Sequence, residues 1–192
     1  ILLFTSGTTG FAKGVMLSHK NICSNIMSIC STVYVDSTDS SLSILPLHHT
    51  YECTIGFLCI IYRGGSIAFN EGLRHIGRNL KEVKPTLMIS VPLLLENIYK
   101  KIWDRAGKKF GGKATLRATI WLGVFLSKIF RIDIRRKLLR PIHENLGGRL
   151  RLIITGAAAI NPKVSKGFRN MGIKVLQGYG LTECSPLVIG NR

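Results

Sequence analysis

The chain has 192 residues, 46% of them hydrophobic, with 27 Lys and Arg against 10 Asp and Glu and a formal net charge of +17. That length suits one domain, or one and a part, and the apolar content can bury a core, so a disordered or fibrous chain is excluded. The longest apolar stretch, Ala118–Leu126, is too short to span a bilayer, and five cysteines without CxxC spacing read as buried free thiols of a reducing compartment.

In chain order, ILLFT (Ile1–Thr5) is an apolar run of strand length, followed by a Gly-rich loop and a short GVML segment. The chain opens without Met and stops soon after a motif-rich stretch, which reads as a piece of a longer protein. Ser18 is a good N-cap for a helix to about Val33. Tyr34–Ser41 is a loop and Ser41–Leu45 a strand ending at Pro46. A helix over Thr50–Tyr62 ends at Gly64-Gly65. SIAF is a strand, Leu73–Val83 a helix, Thr86–Ser90 a strand and Leu93–Arg105 a helix. A basic linker with Gly107, Gly111 and Gly112 leads to helices over Thr115–Phe130 and Ile132–Leu146. LRLIIT is a strand, Pro162–Met171 a helix with Pro in its first turn, and IKVLQ a strand. Strands alternating with helices predict an α/β fold with a largely parallel sheet flanked by helices.

The positive charge is concentrated. Residues 100–151 hold fifteen Lys and Arg but only Asp104, Asp133 and Glu144 as acids. Such a stretch suits polyanions, whether nucleic acid, acidic lipid or phosphorylated small molecules, or is simply a solvated face. Ile129, Phe130, Ile134, Leu138 and Leu139 interleave with Lys128, Arg131, Arg135, Arg136 and Arg140, a pattern that reads as core on its apolar side, with a membrane surface as the alternative.

Four stretches carry chemistry. In FTSGTTGFAKGV (Phe4–Val15) glycines let successive N–H groups point into one concavity, Thr5, Ser6, Thr8 and Thr9 offer hydroxyls, and Lys13 adds a positive charge. It is not the Walker loop, because Ala12 precedes Lys13 and Gly14 follows it. LPLHHTYE (Leu45–Glu52) sets His48, His49 and Glu52 after a strand; satisfied loop histidines and a metal site are both open readings. ITGAAAINP (Ile154–Pro162) follows another strand, with small residues that allow a ligand near the backbone or a tight packed turn. QGYGLTECSP (Gln177–Pro186) offers Tyr179 for stacking on a purine, the Thr182 hydroxyl and Glu183 as a hard oxygen ligand.

In this order the four resemble the adenylate-forming enzymes. That family's loop reads approximately [YF]TSGTTGxPKGV and its later motif GYGxTE; LPLHHTYE and PTLMISVPLLLENIYKKI (Pro85–Ile102) look like its long-chain fatty acid–CoA ligase branch. The resemblance covers essentially the whole chain, as the central part of a large N-terminal domain. It implies a two-step reaction, carboxylate plus ATP to acyl-AMP and pyrophosphate, then thioester formation with CoA. By similarity Thr5, Ser6, Gly7, Thr8, Thr9, Gly10 and Lys13 hold the β- and γ-phosphates, and Thr8 and Glu183 bind Mg²⁺. Gln177, Gly178, Gly180 and Gly156 line the nucleotide pocket, Tyr179 stacks on adenine and Thr182 contacts the α-phosphate. His49 lies near the acyl carboxylate, and Ala157 and Ala158 border an acyl tunnel.

Ala12 departs from the family proline. The family's TGD aspartate, a following arginine and the C-terminal domain with its catalytic lysine are not in these residues, so alone they are expected to be inactive. Residues 1–40 are expected to end one subdomain and 41–192 to form an α/β subdomain. Expected partners are fatty acid, ATP and CoA, with no nucleic acid, in the cytoplasm and with a peripheral membrane contact as an added expectation. Rival readings are a basic nucleic-acid or membrane module, and a nucleotide binder without ligase activity.

Overall fold

A computed structural model describes residues 1–5, 11–109, 111–130 and 133–191. β1 (Leu2–Thr5) pairs antiparallel with β2 (Lys13–Met16), Thr5 opposite Lys13, as a separate hairpin. α1 (His19–Thr32) starts where Ser18 caps it. The Asn21 N–H donates to Ser18 Oγ at 3.1 Å and the Ser18 N–H to Asn21 Oδ1 at 2.9 Å, a reciprocal cap of the first turn. Ile22, Ile26 and Ile29, spaced four and three, form its buried face.

The main sheet joins β3 (Ser40–Ser43), β4 (Ser66–Phe69), β5 (Leu87–Ser90), β6 (Leu152–Thr155), β7 (Lys174–Gly180) and β8 (Leu187–Gly190) in the order β4-β3-β5-β6-β7-β8. Pairings are parallel except β7–β8, which is antiparallel with an irregularity at Tyr179/Gly180. Ser90 lies beside Thr155, and Thr155 beside Gln177, so the carboxyl ends of these strands line up on one edge.

The pleat sorts the side chains. Leu87, Ile89, Leu152, Ile154 and Leu176 pack with α1 and with a helix that is π-type over Glu52–Leu58 and continues as α2 (Cys59–Tyr62). Met88, Ile153 and Val175 face the other way, onto α3 (Ile76–Val83), α4 (Pro92–Lys109), α5 (Lys113–Ile129), α7 (Arg140–Asn145) and α8 (Pro162–Asn170). The expected α/β architecture is therefore present.

Several local expectations are corrected. Gly107 lies inside α4 rather than in a linker, because Leu95, Ile102 and Ala106 pack that helix onto the core; burial outweighs the roughly 1 kcal/mol helix penalty of glycine. The helix expected over Ile132–Leu146 is two short pieces, α6 (Arg135–Leu138) and α7, broken at Leu139. Strand β7 runs on to Gly180, because β8 pairs with its end. The apolar side of the basic stretch is only partly core: Leu139 is buried, but Ile129 and Phe130 are 56% and 61% exposed. Cys30 and Cys59 are buried free thiols as expected, whereas Cys23 and Cys184 are exposed.

At the amino edge of the sheet, Arg151 Nη2 meets Asp39 Oδ2 at 2.5 Å and Thr86 Oγ1 donates to Asp39 Oδ1 at 2.6 Å. These residues immediately precede β3, β5 and β6, so one ion pair, its carboxylate buried and its guanidinium partly exposed, ties three strand entries together. Burial works to raise the Asp39 pKa, but Arg151 and Thr86 prevail and hold it below its ordinary value.

Candidate active site

A cavity of about 420 Å³ opens at the carboxyl edge of the sheet. In open parallel sheets this is where ligands gather. The β3–π-helix loop contributes Leu45, Pro46 and His49; the turn after β6 contributes Gly156 and Ala157; the end of β7 contributes Gly178 and Gly180, with Thr182 beyond it.

Local packing explains the small residues. A Cβ on Gly156 would sit 3.1–3.3 Å from the Tyr51 ring. That ring lies across the strand ends, its hydroxyl 3.3 Å from Ser90 O and 3.2 Å from Ile154 O. Burial pushes the Tyr51 hydroxyl pKa up, so it stays a neutral donor. A Cβ on Gly180 would fall 1.9 Å from Pro186 O, so the return toward β8 can pass this close only over glycine. Ala157 holds φ +69 and turns the chain away after β6.

The roof is fixed from α1. Asn25 Nδ2 donates to Leu187 O at 2.7 Å, and the Leu187 N–H donates to Asn25 Oδ1 at 3.3 Å. β2 packs against the Thr182–Cys184 turn. The hairpin bearing Thr5 and Lys13 thus approaches Glu183, which is exposed. Ser6, Gly7, Thr8, Thr9 and Gly10 lie outside the described residues.

The lining brings together His49, Gly156, Ala157, Gly178, Gly180 and Thr182 from the sequence-derived set. Ala158, Gln177, Tyr179 and Glu183 are outside it; Tyr179 is 62% exposed, and the backbone of Gln177 bonds Asn191. Sequence reasoning did not single out Tyr51 or Asn25. The signal for Asn25 is its place among Ile22, Ile26 and Ile29, a polar group beside a buried helix face.

His48 and His49 are exposed, their rings 4.6 Å apart, while Glu52 is fully buried, so the three do not converge. Ser43 Oγ donates to Glu52 Oε1 at 2.7 Å, and Oε2 is buried without a partner. Burial raises the Glu52 pKa to about 7 against the donors Ser43 and the Ile44 N–H. Among the described residues no three His, Cys, Asp or Glu side chains gather around a metal position. Glu183 and Thr182 offer one carboxylate and one hydroxyl, a sparse oxygen set of the kind that suits Mg²⁺ shared with phosphates and water.

The family model "AMP-binding enzyme" matches residues 1–192. The chain is 36% identical to mouse long-chain-fatty-acid–CoA ligase 5, over 96% of this chain and 28% of that protein. It is 33% identical to human long-chain-fatty-acid–CoA ligase 1, again over 96% of this chain and 28% of the relative. A long-chain-fatty-acid–CoA ligase structure from Archaeoglobus fulgidus superposes with TM-score 0.67 at 20% identity, covering 99% of this chain and 33% of that one, which shows the shared fold. The chain thus spans less than a third of the length of these relatives.

Proposed function

The chain belongs to the AMP-binding enzyme family, and from that premise we propose that it is the nucleotide- and acyl-binding part of an ATP-dependent long-chain fatty acid–CoA ligase. The observation that carries the reading is the cavity itself, where the Gly156–Ala157 turn, the Gly178–Gly180 strand end, His49 and Thr182 meet at one sheet edge. The separate pairing of β1 with β2 supports a division near residue 40, with 1–40 ending one subdomain and 41–192 forming the next.

In this reading ATP enters from the hairpin side. Thr5 and Lys13, with the loop between them, hold the terminal phosphates, and the exposed Tyr179 ring stacks on adenine. Gln177, Gly178 and Gly180 follow the nucleotide, and Thr182 donates to the α-phosphate. His49 orients the fatty carboxylate for attack there, which yields acyl-AMP and releases pyrophosphate; CoA sulfur then displaces AMP to give the thioester. Thr8 and Glu183 would hold Mg²⁺, whose charge would offset that of the anionic reactants.

The acyl chain runs past Ala157 and Ala158 toward a second cavity of about 300 Å³, which shares Gly178 and Leu187 with the first. Ile55, Ile154 and Leu176 give that space an apolar lining.

In the full-length enzyme, Glu183→Ala should cut ATP–pyrophosphate exchange by about a hundredfold or more, the loss typical of one electrostatic contact to the transition state. Wild-type thioester formation by that variant overturns the reading.

A second reading concerns location. No described helix is long and apolar enough to cross a membrane. Yet on α5 Trp121, Phe125 and Ile129, spaced four apart, are 65%, 42% and 56% exposed, and Lys128 lies on the same helix. We propose that this face rests on an anionic bilayer, where apolar side chains enter and cations meet lipid phosphates. Arg135 and Arg136 are engaged elsewhere, on Asp133 and on the carbonyls of Gly148 and Leu150. Trp121→Glu with Phe125→Glu should therefore weaken cosedimentation with phosphatidylglycerol vesicles about tenfold; unchanged binding rejects the contact.

A further inference from the structure

On the side of the sheet away from α1, α3, α4 and α7 enclose a trough of about 550 Å³ that shares no residue with the cavity at the strand ends. Its floor is apolar and buried: Ile76 and Leu80 from α3, Ile142 and Leu146 around α7. Leu94, Ile98 and Ile102, spaced four apart, form the α4 wall.

The rims are cationic. Arg74, Arg78 and Lys81, spaced four and three, stand on one side, and Lys101 and Arg105, spaced four, on the other. No Asp or Glu is among the described lining residues. Arg78 is engaged by Glu71 and Glu82, and Arg105 donates to Asn145 Oδ1 at 3.3 Å. Arg74, Lys81 and Lys101 have no ion-pair partner among the described residues.

A floor that gains by excluding water and rims that gain by meeting an anion select an amphiphile. The volume falls within the range of small-molecule sites. The trough is a concave space of about 550 Å³ between helices, so it suits an inserted acyl chain rather than a flat bilayer. We propose that it is a second binding site for a single-chain amphiphile with an anionic phosphate or carboxylate head, the chain on Ile98, Ile102 and Leu146 and the head between Lys81 and Lys101. This site is independent of the ligase reading and lies outside the proposed catalytic cavity.

The test uses three diazirine-bearing probes on the full-length protein: dodecyl phosphate, dodecanoate and dodecyl maltoside, with cross-links mapped by peptide mass spectrometry. The expected result is saturable labelling of the Leu94–Arg105 segment by one or both anionic probes, at least about tenfold above the neutral one. The two anionic arms identify the head group. Lys81→Glu with Lys101→Glu, and separately Lys81→Gln with Lys101→Gln, should reduce that labelling while ATP–pyrophosphate exchange and the thermal midpoint stay at wild-type values. The site is rejected if labelling falls only near the strand-end cavity, if the maltoside labels equally well, or if both double variants label as wild type. It is also rejected if exchange falls with labelling in folded variants, since the two sites would then not be separate.

Discussion

At the amino edge of the sheet the buried Asp39 carboxylate has a cation, Arg151, and a hydroxyl donor, Thr86. At the carboxyl edge Glu52 is fully buried but among the described residues has only Ser43 and the Ile44 N–H as donors, and its second oxygen has no partner there. Buried hydroxyls without a partner among the described residues occur at both edges, Ser40 Oγ and Ser41 Oγ at the amino one and Thr155 Oγ1 at the carboxyl one. The two edges differ in how each holds its buried carboxylate, one with a cation and the other without. A cation fixes the carboxylate where the strands enter, and a buried carboxylate without one is tolerated near the cavity at their far ends.

The contrast is sharpest if the tied edge is cut. Arg151→Met leaves the Asp39 carboxylate buried without its cation, and about 3 kcal/mol of stability should be lost in urea unfolding at pH 7. In the wild type the folded pKa of Asp39 is depressed, so its contribution is present above the ordinary carboxylate range and is lost as pH falls through the folded value.

Glu52 should behave in the opposite sense. Its pKa is raised from 4.5 to about 7, so the folded state keeps a proton that the unfolded state gives up, and stability declines as pH rises from 4.5 through 7. Glu52→Gln should remove this decline, gaining about 3 kcal/mol at pH 8 and almost nothing at pH 4. An unchanged pH–stability curve would break the comparison.

The smallest effect is expected at Gly156. The added methyl of Gly156→Ala must push the Tyr51 ring by a few tenths of an ångström. About 1 kcal/mol of stability should go, with nucleotide affinity, read by calorimetric titration in the full-length enzyme, falling more than the thermal midpoint suggests.

Much of this was legible in the chain. Ser18 marks the start of α1, and the unbroken apolar runs in LMIS and LIIT fit strands buried on both faces. The cavity residues were legible because each follows a strand: His49 after β3, Gly156 after β6, Thr182 after β7. What escaped depends on partners distant in sequence. Tyr51 is a pocket wall only because Gly156 comes to rest on it, and β8 is a strand only because β7 continues far enough to pair with it. The π-type turn is not visible in the sequence period, and Gly56 within it leaves room for the Glu52 carboxyl, whose Oε1 would be 2.6 Å from a Cβ at that position. Periodicity did not distinguish exposed from buried apolar positions on α5, where Leu116 faces the core and Trp121 faces solvent.

The Asn25 clamp has a consequence in time. It joins residues 162 positions apart, so neither of its hydrogen bonds can form until Leu187 has been made. Closing so long a loop costs entropy before the contact returns anything. During synthesis from the amino end, β3, β5 and β6 can pair before Leu187 has been made, and the clamp over the cavity closes only after them.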